Sequence, residues 1–159
     1  MLTLQDGDFN MKIKGSKIGF VMFSLMSISV MGLIFMFSFQ SAEVSSGTSL
    51  SLYDIFIDFT GFNFITHNTF RKIAHFCEFA ALGFSVAGSV MFYLDRFNFS
   101  IPLIFSVIYA ISDEIHQLFV PERACRIFDV FVDSCGSLFG ILVLFFLTFI
   151  YKFSAFIAM

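Results

Sequence analysis

Twelve polar residues of this 159-residue chain could form a binding or catalytic site. They lie in or beside apolar segments, and they are Arg71, Lys72, His75, Glu78, Asp113, Glu114, His116, Gln117, Arg123, Arg126, Asp129 and Asp133. The basic side chains could bind phosphate or carboxylate, since a guanidinium makes bidentate contacts. A histidine could transfer a proton near neutral pH. The alternative is a structural network, because four cations and, counting Glu122, six carboxylates can neutralise one another.

Helical spacing groups these polar residues onto shared faces. Arg71, His75 and Glu78 follow i, i+4, i+7 spacing, which places all three side chains on one face of a helix. In the next polar group, Asp113 shares a face with His116 and Gln117. Glu114 points partly elsewhere. The spacing therefore predicts two polar helix faces.

A third polar group continues into a stripe of small residues. Asp129 and Asp133 are followed at helical spacing by Gly136 and Gly140. Small residues four positions apart let membrane helices approach closely. This stripe is therefore predicted to pack against a neighbouring helix, and Leu144 is expected to face lipid.

Specific catalytic chemistries have less support. Asp113–His116 resembles a metal ligand set only loosely, because the order and spacing of HExxH are absent. No GxSxG elbow for a serine nucleophile is present. Asp129 and Asp133 could act as an acid–base pair, or they could accept hydrogen bonds from Arg71 or Arg126. We expect neither a metal site nor a cofactor, and a non-enzymatic role is favoured over catalysis.

The elements that must position these residues are predicted to be membrane helices. Hydrophobic residues make up 58% of the chain, charged residues 13%, and the mean hydropathy is +0.89. A soluble domain is nearer half apolar and about a quarter charged. No basic run suggests nucleic acid. Three cysteines without metal-binding spacing are expected to be small buried side chains: Cys77, Cys125 and Cys135.

Four apolar stretches predict an all-α, polytopic membrane bundle. Each approaches the roughly 20 residues that a span requires; they are Ile18–Phe39, Ile73–Leu94, Phe97–Val120 and Phe128–Tyr151. Short turns between the second and third and between the third and fourth stretches predict antiparallel hairpins, so the polar groups meet at one membrane face. Between the first two stretches, Ser51–Phe59 is predicted to form a short interfacial helix, with a re-entrant segment as the alternative.

Basic residues near the span ends predict the orientation. One side carries five and the other four, and the basic flank of the first span is N-terminal. The segment Gln40–Phe70 has no Lys or Arg. We therefore expect a multi-pass protein of the cell membrane, with both termini in the cytoplasm and the polar groups at the outer face.

Several short motifs occur together in a fixed order. They are Ser38-Phe39-Gln40-Ser41; Arg71-Lys72-Ile73-Ala74-His75-Phe76 with Glu78; Ser112-Asp113-Glu114-Ile115-His116-Gln117-Leu118-Phe119 with Pro121 and Arg123; and Asp129, Asp133, Gly136 and Gly140. In this order they resemble the VanZ-like family of small bacterial membrane proteins. The resemblance implies a transmembrane domain over 18–151, flanked by cytoplasmic segments 1–17 and 152–159. Asp133 stands where some relatives carry Asn.

The resemblance implies a role in the cell envelope, since the family is named for a protein associated with teicoplanin resistance. We expect a non-enzymatic membrane protein whose polar pocket engages an amphiphile or a cell-wall lipid precursor, with a contribution to glycopeptide or lipopeptide tolerance. One alternative is a membrane enzyme that acts on a lipid-linked phosphate. Another is a structural or partner-binding module. The bilayer is the expected partner, and nucleic acid is not.

Overall fold

A computed structural model of the chain describes residues 16–40, 42–61, 65–121 and 125–157. These residues form five α-helices and no β-strand. In chain order the helices are α1 (Lys17–Ser38), α2 (Ala42–Thr60), α3 (His67–Leu94), α4 (Ser100–Gln117) and α5 (Ile127–Ile157). The predicted all-α class is confirmed.

Local sequence explains where several helices begin and end. The side chains of Ser16 and Thr66 each accept a hydrogen bond from the backbone N–H three residues later, at 3.2 Å, and so cap α1 and α3. Asp95 ends α3 in the left-handed conformation, at φ 57°, which Asp tolerates better than most residues. With Thr66 as its cap, α3 begins at His67, six residues before the predicted boundary at Ile73. Arg71 and Lys72 therefore lie inside the helix.

Three helices are long and apolar enough to cross a membrane. They are α1, α3 and the Ile127–Ala155 part of α5. Helix α4 is not one of these three helices. It has 18 residues and ends in four polar side chains, those of Asp113, Glu114, His116 and Gln117. Large exposed hydrophobic side chains cover the outer faces of α1 and α5, as expected of helices that contact lipid. The protein is therefore a membrane protein, with three candidate spans among its described residues.

Helix α3 is the centre of the bundle. It packs against all four other helices, and α5 runs beside both α3 and α4. One buried cluster joins α1, α3 and α4: Ile34, Phe79, Leu82, Val86 and Ala110. A second cluster joins α3 and α5 through Ala87, Ile141 and Leu144. The prediction that Leu144 faces lipid is wrong, because Leu144 follows Gly140 at helical spacing and is only 5% exposed.

Glycines allow the backbones of α3 and α5 to touch. A Cβ atom at Gly136 would overlap the carbonyl oxygen of Phe76, and one at Gly140 would overlap that of Ala80. Gly83 of α3 lies equally close to the backbone of Ser137. The Ser137 hydroxyl also donates a hydrogen bond of 3.2 Å to the Phe79 carbonyl. This close packing sets the position of the polar first turns of α5 against α3.

The helices are arranged so that their polar ends meet. The C-terminal ends of α1 and α4 lie with the N-terminal parts of α3 and α5, an arrangement that we call the polar end. At the opposite end, Ser24 bonds Ser89 at 2.7 Å, and Thr148 of α5 lies 3.7 Å from the sulfur of Met91. The start of α1 and the end of α5 therefore lie away from the polar end.

The three cysteines are all unpaired thiols. Cys77 and Cys125 are exposed, and Cys135 is half-buried. The prediction that they are buried is wrong for Cys77 and Cys125. Cys77 lies on the outer side of α3, and Cys125 precedes α5, so neither points into the core that the glycine stripe forms.

Candidate functional site

Asp113 joins α1 to α4 at the polar end. Its Oδ2 accepts a hydrogen bond from the Ser38 hydroxyl and another from the Gln117 side-chain amide, each at 2.9 Å. The Asp113 side chain is 4% exposed and that of Ser38 is fully buried. Two donors on one carboxylate oxygen hold the Asp113 side chain in position. The sequence analysis missed Ser38 as a site residue, although its place in the first family motif was a usable signal.

Glu114 is also buried, although its helical position suggested that it would point partly away. It is 3% exposed, and its Oε2 accepts a hydrogen bond of 2.7 Å from the backbone N–H of Arg126. The side chain of Arg126 itself is exposed. Glu114 therefore ties the end of α4 to the residue that precedes α5.

An ion pair connects α3 to α5. The ammonium group of Lys72 pairs with Oδ1 of Asp129 and lies 4.6 Å above the ring centre of Phe128. Asp129 was expected to accept from Arg71 or Arg126, and that expectation is wrong because Lys72 takes this place. Arg71 is half-buried and forms no hydrogen bond or ion pair with the described residues. The Lys72 and Asp129 side chains are 29% and 32% exposed, so this pair lies at the rim.

A second rim pair lies one turn further along α3. Nδ1 of His75 is 3.6 Å from Oε2 of Glu78, which is an ion-pair distance but too long for a hydrogen bond. These side chains are 27% and 26% exposed. Glu78 also lies close enough to Asp113 to interact with it electrostatically. The polar face of α3 that the spacing predicted therefore borders the buried carboxyl groups of α4.

Asp133 lies deepest in this group. It is 2% exposed, and its Oδ1 has no hydrogen-bond partner among the described residues. Four other carboxyl groups lie within electrostatic range of it: those of Asp113, Glu114, Asp129 and Glu78. The expected hydrogen bond from Arg71 or Arg126 is absent from the described part of the chain. The polar end therefore has a buried acidic floor, formed by Asp113, Glu114 and Asp133. Its partly exposed rim is formed by the pairs Lys72–Asp129 and His75–Glu78.

His116 faces α1 and lies outside the acidic group. Its ring stacks on those of Phe35 and Phe39, with ring centres 4.7 and 5.9 Å away. Its Nε2 is buried without a hydrogen-bond partner among the residues that the structure describes. The sequence analysis did not single out Phe35 or Phe39, because an exposed phenylalanine in an apolar span gives no distinguishing signal. Arg123, the twelfth predicted site residue, lies outside the described residues.

The arrangement is suited to binding a polar group at the end of a membrane bundle. The described residues include no group of three or more His, Cys, Asp or Glu side chains that could hold a metal ion. Ionisable groups at membrane depth are costly and mark either function or helix pairing. Here α1, α3, α4 and α5 all contribute side chains to the polar end, so a ligand there would contact several helices.

A known protein family matches this chain. A family model described as VanZ/LLP1 matches residues 23–149, which is most of the chain. The chain belongs to the VanZ-like family. The matched range of this VanZ-like protein contains both the acidic floor and the glycine stripe. No curated protein and no solved structure matches it.

Proposed function

We propose that this VanZ-like protein is a non-enzymatic cell-envelope protein whose polar end engages an amphiphile or a cell-wall lipid precursor. The observation that carries the proposal is the buried acidic floor below a rim that is about a quarter to a third exposed. A headgroup could reach the rim from the water side of the bilayer while its apolar tail stays among lipids. In a bacterium such a contact would contribute to tolerance of lipid-bearing glycopeptide or lipopeptide antibiotics.

The proposal includes a topology of four spans with both termini in the cytoplasm. Helix α4 would be the fourth span, because it packs between α3 and α5 and exposes an apolar face that includes Ile104, Ile108 and Ile111. The positive-inside rule then favours the outer side for the polar end, since Gln40–Phe70 has no Lys or Arg.

Helix α2 would lie in the outer interface. Leu52, Ile55 and Phe59 form one exposed apolar stripe on it, and Asp54 and Asp58 are exposed on the adjoining face. An apolar stripe beside an acidic face is typical of a helix that lies in the plane of a membrane surface.

Contacts with α3 hold α2 in place. The Tyr53 hydroxyl donates a hydrogen bond of 2.6 Å to the carbonyl of Ile65, and the ring of Phe56 lies 5.5 Å from that of Phe70. Helix α2 would thus cover the lipid surface next to the polar end.

A structural network is the alternative that a specific observation favours. Asp113, Glu114 and Asp129 each have a partner within the protein. Removing a hydrogen-bond donor from a buried carboxylate such as that of Asp113 costs about 1.5–3 kcal/mol. If the network only sets helix packing, substitutions that spare those pairs should leave every phenotype intact.

Arg71 separates the two explanations. It is half-buried near the rim and has no polar partner among the described residues, so Arg71→Ala should leave stability nearly unchanged. Wild type and Arg71→Ala would be extracted in lipid nanodiscs formed directly from cells, and the lipids that co-isolate would be identified by mass spectrometry. Arg96→Ala, an exposed site in the hairpin at the opposite end, is the matched control.

The proposal expects one amphiphile to be enriched over the bulk membrane with wild type and with Arg96→Ala, and expects its enrichment to change with Arg71→Ala, because that substitution removes a charge near the rim. Lipids at bulk proportions in all three samples would overturn it and leave the structural network.

A further inference from the structure

The floor of the polar end is acidic beyond what its described partners neutralise. It is formed by the buried carboxyl groups of Asp113, Glu114 and Asp133, and the rim adds those of Glu78 and Asp129. Among the described residues, Lys72 is the one Lys or Arg side chain that pairs with any of them. Lys72 pairs with Asp129 at the rim, so its ammonium group does not pair with the buried carboxyl groups of the floor.

Asp133 shows where a ligand group would go. Its side chain is 2% exposed, it lies within electrostatic range of the other carboxyl groups, and its Oδ1 has no hydrogen-bond partner among the described residues. A buried polar atom without a partner costs about 1–3 kcal/mol, and more when it is charged. The neighbouring carboxylates cannot donate a hydrogen bond while ionised. When Asp133 is ionised, the missing group is a donor, and a positively charged donor also balances the charge.

The chemistry of this floor selects among headgroups. A phosphate would be repelled by the carboxylates, and the described residues form no set that could hold a metal ion. An ammonium group supplies a compact positive charge and up to three N–H donors. Glu78 at the rim is 26% exposed and lies within electrostatic range of both Asp133 and Asp113, so it marks a route from the surface to the floor.

We propose that Asp133, with Asp113 and Glu78, forms the subsite for the cationic ammonium headgroup of the amphiphile that this protein engages. This inference rests on the proposed function and makes it more specific. Charge complementarity, rather than phosphate binding by the arginines, sets the choice of ligand. The tail remains in the bilayer, and Lys72 and Asp129 stay paired beside the entry.

The test uses the full chain in phosphatidylcholine nanodiscs with three probes of equal chain length: dodecylamine, dodecyl phosphate and dodecanol. The Tm is measured as each probe is titrated, because a ligand that binds the folded state raises the Tm with its concentration. Asp133→Asn is the test variant. Asp54→Asn, the same change at an exposed position on α2, is the matched control.

The expected result is that dodecylamine alone raises the Tm of wild type and of Asp54→Asn. The apparent Kd for dodecylamine should rise at least about tenfold in Asp133→Asn, because a desolvated charge partner is lost. If Asp133→Asn does not fold, Glu78→Gln must show the same loss at the rim. An equal dodecylamine shift in wild type and the test variant would overturn the subsite.

Two further outcomes also overturn it. If dodecyl phosphate stabilises wild type and dodecylamine does not, the preference for a cation is wrong, while engagement of an amphiphile stands. If no probe changes the Tm, the subsite fails as well. The lipids that co-isolate from cells then decide separately whether the proposed function survives.

Discussion

Gly140→Ala should separate α5 from α3, because the added methyl group has no room. A Cβ at Gly140 would overlap the Ala80 carbonyl oxygen and would lie only 2.8 Å from the Ala80 carbonyl carbon and 2.9 Å from the Phe84 nitrogen. All these atoms belong to backbone, so no flexible side chain can move aside. Overpacking of a core typically costs about 1–3 kcal/mol, and rigid neighbours favour the upper end.

Helix propensity acts in the opposite direction. Alanine stabilises a helix interior by about 1 kcal/mol relative to glycine, so Gly140→Ala should lower the free energy of unfolding by about 2 kcal/mol in total. Gly32→Ala is the matched control, because no atom lies within 4 Å of its added Cβ. That variant should be neutral or more stable by up to about 1 kcal/mol.

The two variants should be compared by thermal and SDS-induced unfolding in identical nanodiscs. The reasoning requires changes of opposite sign, or a clear loss at Gly140 with none at Gly32. Equal stability of the two variants would refute the packing argument, and with it the claim that the glycine stripe positions Asp129 and Asp133 against α3.

Three further predictions concern the polar end. Ser38→Ala removes a donor from a buried carboxylate and should cost about 1.5–3 kcal/mol in unfolding free energy, whereas Ser29→Ala, which loses only an exposed bond within α1, should cost much less. A double-mutant cycle of Lys72→Met and Asp129→Asn should give a coupling energy of about 1 kcal/mol or less, because water screens this partly exposed pair. Ser51→Cys, in a background without the native cysteines, should react with an impermeant maleimide on intact cells.

Each of these measurements has an outcome that contradicts it. Equal losses at Ser38 and Ser29 would mean that the Ser38–Asp113 bond contributes nothing measurable. A coupling of several kcal/mol for Lys72 and Asp129 would place that pair in the interior instead of at the rim. Labelling of Ser51→Cys only after permeabilisation would reverse the topology, and Arg96→Cys in the opposite hairpin should show the reciprocal pattern.

The apolar helices could be predicted from the sequence, and three of the four predicted spans correspond to helices long and apolar enough to cross a bilayer. Apolar stretches predicted helices close to the positions of α1, α3, α4 and α5. The boundaries shifted where local caps act, as Thr66 shows by starting α3 before the polar residues Arg71 and Lys72. Leu144 was misassigned because hydrophobicity alone does not separate a lipid-facing side chain from one that packs in the core of a membrane protein.

Pairings within one helix at the polar end could also be predicted, but pairings between helices could not. Helical spacing grouped His75 with Glu78 and Asp113 with Gln117, and these pairs are in contact. Which cation reaches Asp129 depends on the rotation and depth of α3 against α5. For that reason Lys72 holds the place that was assigned to an arginine.

By itself the sequence determined the class of this protein, its main apolar helices and the residues that could carry chemistry, because composition and periodicity are properties of the chain alone. The tertiary structure decided which of those residues are buried together. The contact of α3 with α5 at the glycines and the bond from Ser38 to Asp113 bring four helix ends to one place. Four other carboxyl groups then lie within electrostatic range of Asp133. An acidic floor of this kind arises from helix packing, and no local pattern encodes it.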